Sequence, residues 1–179
     1  MAAMRHVNQL ISIAFVFLAS YCNAVKNETC HCDSNERQFQ GYTYKRSCNA
    51  TFDEAEAKCR LMGGHLASIH SEEENSAVYR MSESYQNYTT YSDFTWIGLK
   101  RSGTTWKWTD GTPLDFTKWS AKEPNNYMNL DENCVEMYTG QLSTWQPNTG
   151  DYEWNDVNCE KKMLFFVCKY KKGNKDKKM

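Results

Sequence analysis

No stretch of this chain approaches the roughly 20 consecutive apolar residues that a membrane-spanning helix needs. The longest apolar run, from Leu10 to Ala19, is too short to cross a bilayer comfortably. Internal repeats and low-complexity blocks are missing, and so is any collagen-like or heptad stalk from which an oligomer would be built. Neither a Gly-x-Ser-x-Gly elbow nor a His-Glu-x-x-His helix occurs, and the four histidines are scattered. Nor does one sign of charge prevail: 21 basic residues stand against 22 acidic ones. That balance excludes a general nucleic-acid binder.

The chain does have the marks of an exported protein. Met1 to Ala24 combines one basic residue (Arg5), the apolar run and a small residue at Ala24, which reads as a secretory signal rather than a membrane anchor. The mature chain is then extracellular and oxidising, with a segment over 25–38, one ordinary domain over 39–170 and a basic tail over 171–179. Lys169, Lys171, Lys172, Lys175, Lys177 and Lys178 crowd its end. That crowd reads as a solvated tail, the sharper alternative being contact with an anionic surface or matrix polysaccharide. Of eight cysteines, Cys22 leaves with the signal, so Cys30, Cys32, Cys48, Cys59, Cys134, Cys159 and Cys168 remain. In an oxidising compartment disulfides are expected over a zinc site at Cys30, Cys32 and Cys48, and the odd count leaves one cysteine to stay free or to link a dimer. Three sequons, at Asn27, Asn49 and Asn87, fit glycosylation of a secreted chain.

Local patterns give an α+β domain. Tyr42 to Arg46 alternates like a strand. Thr51 followed by Glu54 is a capping box, with Phe52, Ala55, Cys59 and Met62 on one helical face and Gly63-Gly64 as the stop. Ser71 followed by Glu74 repeats the cap for a second helix bearing Val78 and Tyr85. Phe94 to Lys100, Trp106 to Trp108 before the Asp110-Gly111 turn, and Leu164 to Tyr170 read as strands. Trp96, Trp106, Trp108 and Trp119 are expected in the core.

The chemistry gathers in two short stretches, Glu123-Pro124-Asn125 and Trp154-Asn155-Asp156, set around Cys134 and Cys159. Carboxylates and amide carbonyls are the hard donors that Ca²⁺ collects, roughly six to eight at a time.

These motifs, together with Gly63-Gly64-His65-Leu66-Ala67-Ser68-Ile69, Trp96-Ile97-Gly98-Leu99 and the terminal Phe166-Val167-Cys168, occur in the order seen in C-type lectin domains. The chain resembles the mannose-type recognition domains of dendritic-cell and macrophage receptors. The resemblance implies two helices with antiparallel sheets and long calcium-binding loops, and the pairs Cys59–Cys168 and Cys134–Cys159. A further hairpin bridge would use Cys32 or Cys30 with Cys48. It implies one principal Ca²⁺ held by Glu123, Asn125, Glu132, Asn155 and Asp156, with Asp131 the competing choice for Glu132. Pro124 would give a cis peptide that aims its neighbours at the metal.

On the same resemblance, the ion takes two vicinal sugar hydroxyls while the same five side chains exchange hydrogen bonds with them. Glu123 before Asn125 goes with mannose, N-acetylglucosamine, glucose and fucose-like ligands on cell or microbial surfaces, whereas galactose-type relatives carry Gln and Asp there. An auxiliary calcium is expected weak or absent, because Arg101, Asn126 and Asn133 stand where relatives hold it with acidic residues. Tyr138 to Glu153 is long and brings Trp145, Pro147 and Gly150, either as an aromatic wall or as a self-packed insertion. A glycosidase pairing Glu123 with Asp156 is disfavoured because a bound Ca²⁺ keeps both ionised. The remaining alternative is a lectin-fold protein that binds protein or another non-sugar ligand. Acid is expected to release metal and sugar together.

Overall fold

In the computed structural model the described residues are 36–82, 94–139 and 152–171. They lie within one compact unit, Asp33–Met179. The expected signal over 1–24, Cys30, Cys32, Asn27, Asn87, Tyr85, the 140–151 part of the long segment and the tail beyond Lys171 fall outside them.

Two helices pack on a single eight-stranded sheet. The elements run β1 (Glu36–Phe39), β2 (Tyr42–Ala50), α1 (Phe52–Leu61), β3 (His65–Leu66), α2 (Glu72–Ser82), β4 (Thr95–Ser102), β5 (Thr105–Trp108), β6 (Cys134–Met137), β7 (Trp154–Val157) and β8 (Met163–Tyr170). The main strand order is β1-β2-β8-β4-β6-β7, with β3 on β8 and β5 on β4. The α+β expectation holds, and so do the two helices. One detail differs: β4 and β8 run parallel (Thr95 opposite Phe165, Trp96 opposite Phe166), so the sheet is mixed rather than antiparallel throughout. A strand from the middle of the chain slots beside the last one, a long-range pairing that no local pattern encodes.

Both caps form as their residues dictate. Thr51 accepts the Glu54 amide while the Glu54 carboxylate accepts the Thr51 amide, the reciprocal box that opens α1. Ser71 Oγ accepts the Glu74 amide at 3.2 Å at the start of α2. The Gly63-Gly64 stop has two separate causes. Gly63 sits at φ +81°, and a Cβ on Gly64 would lie 2.2 Å from the Lys169 carbonyl oxygen, so only glycine lets the chain cross β8 there.

The sheet is buried on both faces where β4 crosses it, which is why Thr95 to Leu99 is an unbroken buried run. Alternation sends Trp96 toward Phe52, Cys59 and Phe166, and Ile97 and Leu99 toward Trp108, Val135 and Trp154. Trp96 and Trp108 are buried as expected; Trp106 and Trp119 are half-buried against the same core. Cys59–Cys168 ties α1 to β8, and Cys134–Cys159 ties β6 to the loop after β7. In the chain-entropy picture each stabilises by about 3 to 5 kcal/mol. Cys48 is disulfide-bonded too, and because the other described cysteines pair among themselves, its partner lies outside the described residues.

Lys169 belongs to the core, not to the solvated tail with which its spacing grouped it. It is 8% exposed, and its Nζ donates to Glu74 Oε1 at 2.6 Å and to the Ser68 carbonyl at 3.1 Å. Among the described residues no helix is long and apolar enough to cross a membrane.

Candidate functional site

The loop between β5 and β6 reaches the end of β7 through backbone bonds. Trp154 N–H donates to the Lys118 carbonyl at 2.7 Å, Ser120 N–H to the Trp154 carbonyl at 2.9 Å, and Glu123 N–H to the Ser120 carbonyl at 3.0 Å. Glu123 is thereby fixed beside Trp154-Asn155-Asp156. The Glu123–Pro124 peptide is cis, as the resemblance implied.

Beyond Pro124 the loop has little apolar support. Asn126, Met128, Asn129 and Asp131 all take left-handed φ values of 45° to 56°, and Tyr127, Met128 and Leu130 are exposed. Left-handed backbone at non-glycine residues is costly, so other contacts must hold it. Side-chain oxygens do that here. Asp156 accepts the Asn125 amide on Oδ1 and the Asn126 amide on Oδ2, both at 2.9 Å. Glu132 Oε2 accepts the Tyr127 amide at 2.6 Å, and Asn126 Oδ1 accepts the Glu132 amide at 3.0 Å. Asn158 Nδ2 donates to the Leu130 carbonyl at 3.0 Å.

The five side chains singled out from sequence thus come from one loop, between β5 and β6, and one strand, β7. Asp156, Asn155 and Glu132 are buried, Glu123 is half-buried and Asn125 is exposed. Asp131 is exposed and lines a separate open groove of about 610 Å³ with Asp53, Lys100 and Arg101, whereas Glu132 faces Asp156 electrostatically. The geometry therefore sets Glu132, not Asp131, with the cluster.

Acidic groups packed this closely repel. Burial, then Asp156 and Glu132 alongside, push the Glu123 carboxyl up to about 7. Burial and Asp156 likewise raise Glu132, opposed by the Tyr127 amide. Glu123 Oε2 is buried with no hydrogen-bond partner. Arg101 brings a positive charge to the cluster, its guanidinium 3.7 Å from Asp156 Oδ2 and 4.8 Å from the centre of the Trp106 ring.

Ca²⁺ is not part of the structure, but the donor set can be judged against it. All donors are hard oxygens, one buried carboxylate oxygen lacks a partner, and the acids crowd without enough positive charge, all of which suit a hard divalent cation. Among the described residues no three His, Cys, Asp or Glu side chains converge tightly enough to hold an ion by themselves.

One residue escaped sequence reasoning. Glu136, on β6, is fully buried, accepts from Asn155 Nδ2 at 3.0 Å on Oε1, and leaves Oε2 unpartnered. Burial pushes its carboxyl up to about 8. The available signal was a lone acid inside the otherwise apolar Cys134-Val135-Met137 strand.

Comparison with known proteins agrees with this frame. The Lectin C-type domain profile matches residues 48–170. A C-type lectin galactose-binding isoform from Hoplocephalus stephensii is 33% identical over 167 residues, spanning 90% of this chain and 96% of that protein. Among solved structures, the C-type carbohydrate-recognition domain of cow CD23, determined in the presence of GlcNAc2Man3 oligosaccharide, superposes with a TM-score of 0.60 at 26% identity over 82% of this chain and 98% of that one. A calcium-independent type II antifreeze protein superposes equally well, at 0.60 and 28% identity over 81% and 98%. With the profile covering most of its length, this chain belongs to the C-type lectin domain family.

Proposed function

We propose that the protein is a secreted, calcium-dependent lectin of mannose type, with Glu123, Asn125, Glu132, Asn155 and Asp156 as ligands to one principal Ca²⁺ and as the sugar-contacting groups. The single observation that carries this reading is the crowding of Glu123, Glu132 and Asp156 around a buried carboxylate oxygen with no partner. When bound, Ca²⁺ would supply a hard Lewis-acid centre for vicinal sugar hydroxyls.

The chain's own residues do the rest. Glu123 and Glu132 accept hydroxyl protons, Asn125 and Asn155 donate amide protons to hydroxyl lone pairs, and Asp156 holds the Asn125 and Asn126 backbone so that the loop is already bent toward the site. The order Glu123 then Asn125 favours mannose, N-acetylglucosamine and fucose-like sugars over galactose. The galactose-binding relative from Hoplocephalus stephensii makes galactose the required control. Arg101, 3.7 Å from Asp156, puts a cation where relatives hold an auxiliary calcium, so that second ion is expected to be weak or absent.

Secretion after Ala24, glycosylation at Asn27, Asn49 and Asn87, and a disulfide-linked dimer through an unpaired cysteine complete the proposal. Asn49 supports the second of these, being exposed at φ 55° on the edge of β2. One shallow site binds a monosaccharide weakly, so glycans on cell or microbial surfaces would be engaged by several sites together.

A second reading, a lectin-fold protein with a non-sugar ligand, is favoured by the match to the calcium-independent antifreeze structure. Retention of the folded mature chain on mannose-agarose but not galactose-agarose, lost with chelator, supports the sugar reading. Failure on both matrices despite demonstrated folding and multivalent display moves the assignment to the second.

A further inference from the structure

Glu136 is out of place as a core residue. It is fully buried in β6, where register sets Trp96 of β4 on one side and Asn155 of β7 on the other. Trp96 Nε1 gives its proton to the Ala50 carbonyl at 3.1 Å, leaving Asn155 Nδ2 as the donor that reaches Glu136 Oε1. Oε2 has no partner. A buried acid that is half satisfied weakens a core, and an apolar side chain of similar volume would pack there without that penalty. The same strand shows the contrast: Val135 and Met137, immediately flanking, are apolar and fully buried.

What the acid does is fix an amide. An asparagine carboxamide can flip by half a turn with little change in shape, exchanging its oxygen and nitrogen. A carboxyl oxygen that accepts allows one choice only, nitrogen inward. Asn155 is itself 7% exposed, so water does little to compete for its carboxamide.

We propose that Glu136 is a positioning residue for the sugar site: by accepting one Nδ2 proton of Asn155 it locks the carboxamide, leaving Oδ1 for the cation and the second Nδ2 proton for a sugar hydroxyl. The inference rests on the ligand reading above and deepens it. Glu136 touches neither metal nor sugar, and acts through Asn155 as outer-layer partners of metal ligands do.

The test uses the full mature chain and two variants. Glu136→Gln keeps an accepting oxygen; Glu136→Leu removes it at similar volume. Three readouts are needed: the Asn155 side-chain amide signals by ¹⁵N-resolved NMR, Ca²⁺ affinity by calorimetry, and the thermal midpoint of the metal-free protein. The expected result for Glu136→Leu is loss of the protected Asn155 amide proton and about tenfold or greater weakening of Ca²⁺ binding, whichever way the midpoint moves, since removing the buried acid and orphaning the Asn155 amide act on it in opposite directions. Glu136→Gln should keep the amide signal and stay within about threefold in affinity, well inside the effect of losing an outer-layer partner. An unchanged amide signal or affinity in Glu136→Leu overturns the inference, and so does a fall in midpoint with unchanged affinity, which would make Glu136 a core residue only. If the unaltered chain binds no Ca²⁺, the ligand reading fails and the positioning claim falls with it. If it binds Ca²⁺ but not mannose, the sugar reading fails alone and the amide and affinity arms still decide.

Discussion

Two buried acid sites share this sheet, and they are built on opposite principles. At one, both carboxylate oxygens of Glu74 are used: Tyr44 Oη and Lys169 Nζ donate to Oε1, and the His70 amide donates to Oε2 at 2.7 Å. Lys169 extends the network to Ser68, whose hydroxyl donates to Asp110 at 2.5 Å. At the other, Glu123 and Glu136 each keep a buried oxygen without a partner, and Glu123, Glu132 and Asp156 crowd one another. The first is a satisfied network and reads as architecture. The second is an unsatisfied one, left incomplete for something that is not protein. Burial alone does not separate them, since Glu74 is 3% exposed and Glu136 is 0% exposed; partner counting does.

The largest test breaks the satisfied side. Glu74→Leu leaves Lys169 buried without its carboxylate, and removing one partner of a buried pair costs about 3 to 5 kcal/mol. Chemical denaturation should show a loss of that size, or no folded protein. A loss under about 1 kcal/mol, the range of an exposed pair, would mean the network is not the anchor its geometry indicates.

The second test goes to the unsatisfied side. Glu123→Gln removes a charge from the crowded cluster, so calcium-dependent retention on mannose should disappear while the metal-free midpoint holds or rises. A drop in midpoint with retained binding would reverse the comparison, making Glu123 structural.

How far this was readable from sequence follows the same division. The capping box of α1, the strand at Tyr42 to Arg46 and the apolar face of α1 are local, and they formed as read, although Thr43 and Tyr44 are both buried where alternation would have exposed one. The nearness of Glu123, Glu132 and Asp156 was legible because hard oxygen donors set close to cysteines are a chemical signal. The parallel β4–β8 pair was not, because it joins strands some 70 positions apart in sequence. Lys169 was misplaced because a lysine beside a lysine-rich tail looks solvated until β8 carries it inward against Glu74. Glu136 was missed because one polar residue in a short strand normally marks the solvent face, and only packing on both faces of the sheet at β6, where all four residues are buried, denies it one.

The third test uses pH. In the metal-free protein Glu123 and Glu136 are raised to about 7 and about 8 from an ordinary 4.5, so between those values the folded chain holds protons that the unfolded chain has released. Stability then falls as pH rises through the window, and metal-free protein should melt at a higher temperature near pH 5 than near pH 8. Ca²⁺ binding runs the other way, since the ion must displace the proton on Glu123, so affinity should weaken as pH drops below about 7. Melting curves with and without Ca²⁺ check both signs. Parallel trends in the two states would mean that the acids are not meeting the cation.

The smallest effect sharpens what satisfaction is worth. Tyr44, on β2 opposite Lys169 of β8, is 1% exposed with its hydroxyl on Glu74, and burial together with that carboxylate drives its pKa upward, so the phenol stays a donor throughout the working range. Tyr44→Phe removes this donor alone and keeps the ring under Lys169, whose Nζ lies 5.8 Å from the ring centre. Glu74 retains Lys169 and the His70 amide, so the expected loss is about 0.5 to 1.5 kcal/mol, the net value of one hydrogen bond. Sugar retention should not change, because nothing in this network reaches the loop from Glu123 to Glu132. A loss of retention would show that the satisfied and unsatisfied sites communicate through the sheet, and the two acids would then have to be treated as one system.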